Sequence, residues 1–141
     1  MAKFNTFLQI NDLREIENDT IIELTVKYNN FNSSRIFNFS LSEITFNFDG
    51  ETVIKDYSKY KISIEYSQKK EPKIFIKEPV IAEDAPHRFS DKSLCLFKTS
   101  NFKWTNSSSI AKDIFPLIIT WIYFNEIWLI TGIWEGKEAK H

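Results

Sequence analysis

The stretch Tyr60-Lys61-Ile62-Ser63-Ile64-Glu65-Tyr66 alternates between apolar and polar side chains without a break. Successive side chains of a β-strand point to opposite faces of the sheet, so this pattern gives one apolar face and one polar face. The stretch therefore predicts an antiparallel sheet with one face in water and the other covered by a second layer.

Neighbouring stretches predict the rest of this sheet. Residues 36–41 and 44–48 alternate in part, and the turn dipeptide Asp49-Gly50 follows them. Residues 73–77 form a further short strand, which Glu78-Pro79 should end. These four strands with short links predict a four-stranded antiparallel meander.

The C-terminal part of the chain predicts the layer that covers the sheet. Residues 110–128 are apolar on nearly every side, which is typical of a helix buried on most sides. Residues 106–109 offer N-caps, Pro116 should kink or split the helix, and Gly132 should end it. Because the apolar run is slightly short and contains Glu126, we interpret it as a core helix rather than a membrane span.

The first thirty residues are the least decisive. Residues 3–18 carry apolar side chains at helical spacing and predict a short amphipathic N-terminal helix. We interpret residues 19–30 as a second helix capped by Asp19-Thr20. The alternative is a strand, because apolar residues also alternate there and β-branched residues are frequent. Together these elements predict an α+β fold.

Composition restricts the class of protein. A chain of 141 residues fits one domain, spanning 1–141, and its 43% hydrophobic content excludes a disordered chain. The net charge of −1 gives no electrostatic footprint for nucleic acid or an anionic membrane. A single cysteine forms no internal disulfide, and no apolar signal segment follows Met1, so we expect a reducing, cytoplasmic setting.

The residues with chemical potential lie in the polar loop after the predicted sheet. This loop contains the only cysteine, Cys95, and one of the two histidines, His87. Cys95 is a candidate nucleophile, and the alternative is a small buried hydrophobic residue between Leu94 and Leu96. One cysteine and two distant histidines give no metal-ligand spacing, so we expect neither a metal nor a cofactor.

The order of these elements resembles the ubiquitin-conjugating enzyme fold. In that family a four-stranded meander leads to a His-Pro-Asn motif, the catalytic cysteine follows about eight residues later, and a tryptophan precedes the next helix. Here His87 precedes Cys95 by eight positions, and Trp104-Thr105 follows. Two positions differ, since Arg88 and Phe89 stand where that family has Pro and Asn. The oxyanion-stabilising group therefore stays unassigned.

A narrower resemblance is to the bacterial ubiquitin-conjugating-like proteins of antiphage operons of the CBASS type. The residues that carry it are Ser93-Leu94-Cys95-Leu96, the helix start at Ile110-Ala111, the segment 121–129 and the ending from Thr131-Gly132 to His141. The close match covers 87–141, and 60–79 match more loosely.

The resemblance implies a ubiquitin-conjugating-like enzyme that carries a protein C-terminus as a thioester on Cys95 and transfers it to an acceptor nucleophile. The carried protein would be a cGAS-like nucleotidyltransferase or a ubiquitin-like protein. An activating enzyme normally loads the cysteine, and here it would either be a separate protein or be dispensed with. No nucleic acid or membrane partner is expected. One alternative is a catalytically inactive binding module of the same fold. Another is an unrelated cysteine hydrolase, which would need a base beside Cys95.

The resemblance also suggests roles for residues around the cysteine. His87 is either a general base or, as in the wider family, a residue that organises the loop through its backbone. Trp104 would pack as a lid beside Cys95. Polar neighbours of the thioester would come from Asp91, Asn101 and Asn106. Glu138 and His141 either fold back towards the loop or stay solvated, and we expect core positions for Trp121, Trp128 and Trp134 at their helical spacing.

Overall fold

The computed structural model describes residues 6–29, 34–67, 70–96, 104–105 and 107–135. A short π-helical turn at Ile110–Ile114 precedes the last helix. The other elements, in chain order, are α1 (Thr6–Ile16), β1 (Ile21–Asn29), β2 (Ser34–Leu41), β3 (Glu43–Phe48), β4 (Glu51–Asp56), β5 (Lys61–Ser67), β6 (Lys70–Glu78) and α2 (Phe115–Thr131).

A four-stranded antiparallel sheet forms the centre of the molecule, in the order β1-β2-β5-β6. This confirms the α+β class, with an N-terminal helix, a four-stranded antiparallel sheet and a C-terminal helix. The expected place of residues 44–48 in that sheet is wrong, because β3 pairs with β4 in a separate two-stranded sheet. Ser42 alone links β2 to β3, and one residue is too short for a hairpin between them.

The β3–β4 hairpin closes through the predicted Asp49-Gly50 turn. Both residues adopt positive φ, 52° and 81°, as a tight turn of this kind requires. The hairpin packs on α2 through aromatic rings, with Phe46 5.3 Å from Tyr123 and Phe48 5.4 Å from Phe124, centroid to centroid.

The helix predicted for residues 19–30 is wrong, and the alternative strand is correct. This segment is β1, which pairs with β2 from Ile21 to Asn29. A bulge between Ile22 and Thr25 shifts the register, and Glu23 within it has φ of 58°. As a result Ile21 and Leu24 are both buried, three positions apart, which imitates the spacing of a helix.

The core lies between the four-stranded sheet and the helices. Its fully buried side chains come from every layer and include Leu13, Phe37, Ile64, Ile74 and Ile118. Core packing therefore brings α1 and α2 to the same cluster of side chains as the sheet.

The C-terminal helix begins and ends where the sequence predicts. Ser109 caps the π-helical turn by accepting a hydrogen bond from the backbone of Lys112, and Pro116 stands in the first turn of α2. Gly132 ends α2 with φ of 76°. The predicted burial on most sides is observed only in the first part of α2.

Near its C-terminal end α2 is exposed. Leu129 is 60% exposed and Ile130 is 86% exposed. By length and composition the segment Ile110–Thr131 could cross a membrane, and 44% of its most apolar window is buried inside the protein. The buried part includes Phe115, Ile118 and Trp121, which belong to the core.

Candidate active site

The chain after β6 closes on itself in a tight turn before it reaches the cysteine. The backbone N–H of Phe89 donates to the carbonyl of Ser93 at 2.9 Å, and that of Lys92 donates to the carbonyl of Phe89 at 2.9 Å. The N–H of Leu94 then donates to the carbonyl of Ile74 at 2.8 Å. This last bond fixes the loop to the edge strand β6, one residue before Cys95.

The side chain of Asp91 stabilises this turn through hydrogen bonds. Its Oδ1 accepts hydrogen bonds from the backbone N–H of Ser93 at 2.9 Å and from the Ser93 hydroxyl at 2.6 Å. Its Oδ2 pairs with Nζ of Lys73 on β6 at 2.9 Å. The bonds from Ser93, and then the one from Lys73, lower the pKa of Asp91 to about 2. A carboxylate of that pKa is a poor proton acceptor at neutral pH. Its contacts instead stabilise the conformation of the loop.

Cys95 lies beneath the turn with its thiol buried. The residue is 1% exposed, and its backbone N–H donates to the carbonyl of His87 at 2.9 Å. Leu94 and Leu96 on either side are buried core residues. A nucleophilic thiol has to be accessible to its substrate, and in this conformation it is not. Cys95 directly follows the backbone bridge between Arg88 and Leu94 and lies in the core.

His87 supports the cysteine through its backbone. Its carbonyl accepts the N–H of Cys95 and, at 3.0 Å, the indole Nε1–H of Trp121 from α2. Its φ is 60°, in the left-handed region, which costs some backbone strain in a residue other than glycine. These are the contacts of a loop-organising residue.

Trp134 packs against the core, as predicted, although it lies beyond the helix. α2 ends at Thr131, and Gly132 caps it in a left-handed conformation. The ring centroid of Trp134 lies 4.8 Å from that of His87 and 5.6 Å from that of Trp121. Its contact with His87 was not predicted, and the signal that could have indicated it is the glycine stop followed two residues later by a large aromatic residue.

The remaining sequence candidates are distributed as follows. The ring of Trp104 meets the ring of Tyr66 on β5 edge to face, with centroids 6.1 Å apart, so it packs on the sheet. Trp121 is a core residue, as predicted. Asn101, Asn106, Glu138 and His141 lie outside the described residues.

A groove of about 400 Å³ runs beside the cysteine loop. Arg88, Lys92 and Leu94 line it from the loop side, and Phe75 and Lys77 line it from β6. Its mixed apolar and charged walls could bind an extended peptide. In the part of the chain that the structure describes, no group of three or more His, Cys, Asp or Glu side chains could hold a metal ion.

Residues 21–141 match the sequence model of a protein family described as E2-CBASS, type II CBASS E2 protein. The match begins at β1 and includes the cysteine loop, α2 and the C-terminal segment. Comparison of the chain with curated proteins gives no match.

Proposed function

The chain belongs to the type II CBASS E2 family, a family of antiphage defence, and on that premise we propose that it is an acyltransferase that carries a protein C-terminus as a thioester on Cys95. An E2-like role in CBASS defence follows from the family itself. Our proposal goes further in three respects. It concerns the thioester chemistry, the identity of the carried protein, and a ubiquitin-conjugating fold over residues 1–141.

The observation that carries the proposal is the single cysteine. A thioester needs a thiol, and Cys95 is the only one in the sequence. Its backbone is fixed through His87, and the residue before it is fixed to β6. A backbone held at both points fixes the place of the sulfur in the loop, and local opening of the loop then exposes the thiol for attack.

The chemistry proceeds in two acyl transfers. In the first, the Cys95 thiolate attacks the carbonyl carbon of an activated C-terminus, an acyl adenylate or a thioester on an activating enzyme. A C–S bond forms, and AMP or the donor thiolate leaves. In the second, an acceptor amine attacks the thioester, a C–N bond forms, and the Cys95 sulfur leaves with the bonding electron pair while the amine loses a proton. Each step passes through an oxyanion that hydrogen-bond donors stabilise.

The proposed partners follow from this chemistry. The carried protein is a cGAS-like nucleotidyltransferase or a ubiquitin-like protein, and a separate activating enzyme supplies the energy-rich acyl group. The central sheet, the cysteine loop after β6 and the helix that follows support a ubiquitin-conjugating-like fold. We place the reaction in the cytoplasm, where a lone thiol stays reduced.

Burial of the thiol favours a second candidate function. A cysteine that is 1% exposed suits a binding module that holds a nucleotidyltransferase or a ubiquitin-like partner without forming a bond to it. The two functions differ in one observable, a covalent adduct.

The test is incubation of the protein with the nucleotidyltransferase of its own operon, an activating enzyme and ATP, followed by non-reducing gels. We expect an adduct that reductant removes and that Cys95→Ala abolishes. Cys95→Ser should give an ester that survives reductant, and Ser90→Ala, an exposed change in the same loop, should leave the adduct intact. Stable binding without an adduct would favour the binding module, and an adduct in Cys95→Ala would exclude Cys95 as the acyl carrier.

A further inference from the structure

Strand β6 is the last strand of the four-stranded sheet, so it pairs with a strand of that sheet on one edge only. On its outer edge the carbonyl of Ile74 accepts the N–H of Leu94 at 2.8 Å, and the described residues place no further strand there. Residues of an antiparallel strand alternate between those that bond to the partner strand and those that face away from it. The register shift opposite Lys61 begins only after Ile76, so the backbone N–H and C=O of Ile76 face the outer edge as those of Ile74 do.

The groove of about 400 Å³ beside the cysteine loop lies along this outer edge, because residues 75–77 of β6 line it. Val80 and Ile81 after the strand, and Leu94 of the loop, give it apolar walls. Val80 is 95% exposed, so part of this apolar surface lies in water. An extended peptide supplies both the backbone groups that the edge can pair with and side chains that cover such a surface, and strand addition is a common mode of peptide recognition.

The charges of the groove favour an acidic peptide. Its two carboxylates, those of Asp91 and Glu83, are each already paired with a lysine, at 2.9 and 3.2 Å. Lys77 forms no ion pair within the described parts of the chain, and Arg88 donates to the neutral carbonyl of Ala82 at 2.7 Å. Two cations of the lining therefore remain uncompensated by a described carboxylate, and an acidic side chain of an occupant would complement them.

The hydrogen bond that closes the cysteine loop also occupies this edge. Leu94 stands directly before Cys95, and its N–H holds the carbonyl of Ile74. A strand that pairs with both Ile74 and Ile76 needs that carbonyl for an N–H of its own, so it displaces Leu94. The two ion pairs that also hold the loop are exposed to solvent and contribute little. Displacement of Leu94 therefore opens the loop next to the thiol, which is buried in the free protein.

We propose that an extended peptide with an acidic side chain binds the outer edge of β6 as an added strand, and that it releases Leu94 from Ile74 and exposes the thiol of Cys95. Resting on the proposed function, this peptide is the C-terminal tail of the carried protein. Burial then protects the thiol in the free protein until the substrate that it attacks is in place.

The position of Cys95 gives the direction of the tail. The C-terminus of the tail has to reach Cys95, which follows Leu94 at the Ile74 end of the groove. The tail therefore runs from Lys77 towards Ile74, antiparallel to β6. Lys77 stands three positions after Ile74, so an acidic residue about three positions before the end of the tail lies opposite it.

The test of strand addition is an NMR titration of the free protein with the peptide acetyl-Thr-Val-Glu-Val-Thr-Val-amide, whose glutamate has the proposed position. We expect amide shifts at Ile76, Lys77 and Val80. Two N-methylated forms of the peptide test the pairing, one methylated at its odd-numbered residues and the other at its even-numbered residues. Only one of these sets of N–H groups can face β6, so one form should bind like the parent peptide and the other should not bind.

Hydrogen exchange in the same complex tests the release of the loop. The amide of Ile76 should become protected when the peptide binds, and the amide of Leu94 should exchange faster. The thiol of Cys95 should react about fivefold faster with an aromatic disulfide at saturating peptide, because one backbone hydrogen bond no longer closes the loop.

A matched pair of variants tests the charge. Lys77→Gln should weaken binding of the parent peptide about threefold, as expected for an exposed ion pair, and should not change binding of the analogue with glutamine in place of glutamate. Lys55→Gln, which removes an exposed lysine of the β3–β4 hairpin, should bind both peptides like the wild type. Amide spectra of each variant show whether it is folded.

Each part of the proposal has an outcome that overturns it. Absence of amide shifts, or equal binding of the two N-methylated forms, would exclude strand addition. Binding with unchanged exchange at Leu94 and an unchanged thiol rate would exclude release of the loop. Equal effects of Lys77→Gln on the two peptides would exclude the ion pair. Because these measurements need no activating enzyme, their failure leaves an adduct on Cys95 possible, and a missing adduct leaves the binding result unchanged.

Discussion

The backbone N–H of Cys95 donates to the carbonyl oxygen of His87 at 2.9 Å, and the indole of Trp121 donates to the same oxygen at 3.0 Å. One carbonyl thus joins the cysteine to the C-terminal helix. The ring of His87, meanwhile, packs on Trp134 beyond the end of that helix. The position of Cys95 therefore depends on residues that lie both before and after it in the chain.

The first prediction concerns the indole hydrogen bond. Trp121→Phe removes the donor while the His87 carbonyl keeps the N–H of Cys95, so the hydrogen bond itself accounts for about 1 kcal/mol of lost stability, with a further cost for the lost volume. Chemical denaturation measures the total. We also expect faster reaction of Cys95 with a thiol reagent, because the loop is held less firmly. An unchanged rate in a destabilised variant would mean that this bond does not control access to the thiol.

The second prediction concerns the pH dependence that Asp91 confers. Its pKa is lowered from 3.8 to about 2, so its ionised form stabilises the folded protein above pH 3.8 and that contribution is lost as the pH falls towards 2. Asp91→Asn should be less stable than the wild type at pH 7, with a difference that narrows between about pH 4 and pH 2. Urea denaturation at several pH values measures it. Asp84→Asn removes an exposed carboxyl in the preceding turn and is the control, and the narrowing should be larger for Asp91→Asn than for this control.

The sequence predicts most of the sheet because alternation is a local property. Residues 61–66 and 73–77 lie in adjacent strands as expected. Two features of the sheet do not follow from local sequence patterns. The β-bulge after Ile22 gave β1 the burial spacing of a helix, and the single residue Ser42 directed β3 away from the sheet. Strand pairing decides both, and no short window of sequence contains it.

The candidate site was predictable in its residues and not in its geometry. Cys95 and His87 could be identified by type and spacing, but burial of the thiol depends on how the loop closes through Asp91 and Ser93. The return of Trp134 depends on the left-handed turn at Gly132. Contacts between residues far apart in the chain determine these positions, and the periodicity of apolar residues in the sequence contains no information about such contacts.

The third prediction concerns access to the thiol. Because Cys95 is 1% exposed, a thiol reagent should reach it only after local opening of the loop. If that opening costs about 3 kcal/mol, the reaction is roughly a hundredfold slower than in unfolded protein. Stopped-flow measurement with an aromatic disulfide, with and without urea, gives the ratio. Equal rates would mean that the loop is open most of the time.

The fourth prediction concerns Asn125, the buried amide on α2. A buried carbonyl without a partner costs about 1–3 kcal/mol, so Asn125→Leu, which keeps the branched shape with a larger volume and no polar atoms, should raise stability by about 1 kcal/mol and Tm by roughly 3–5 °C. Asn125→Ala also removes the amide but leaves a cavity, so it should be less stable than Asn125→Leu. Thermal unfolding of the three proteins gives the order. If Asn125→Leu is the least stable, the amide has a bonding role that stabilises the folded protein. If it is the most stable, the chain keeps an amide that destabilises its folded state.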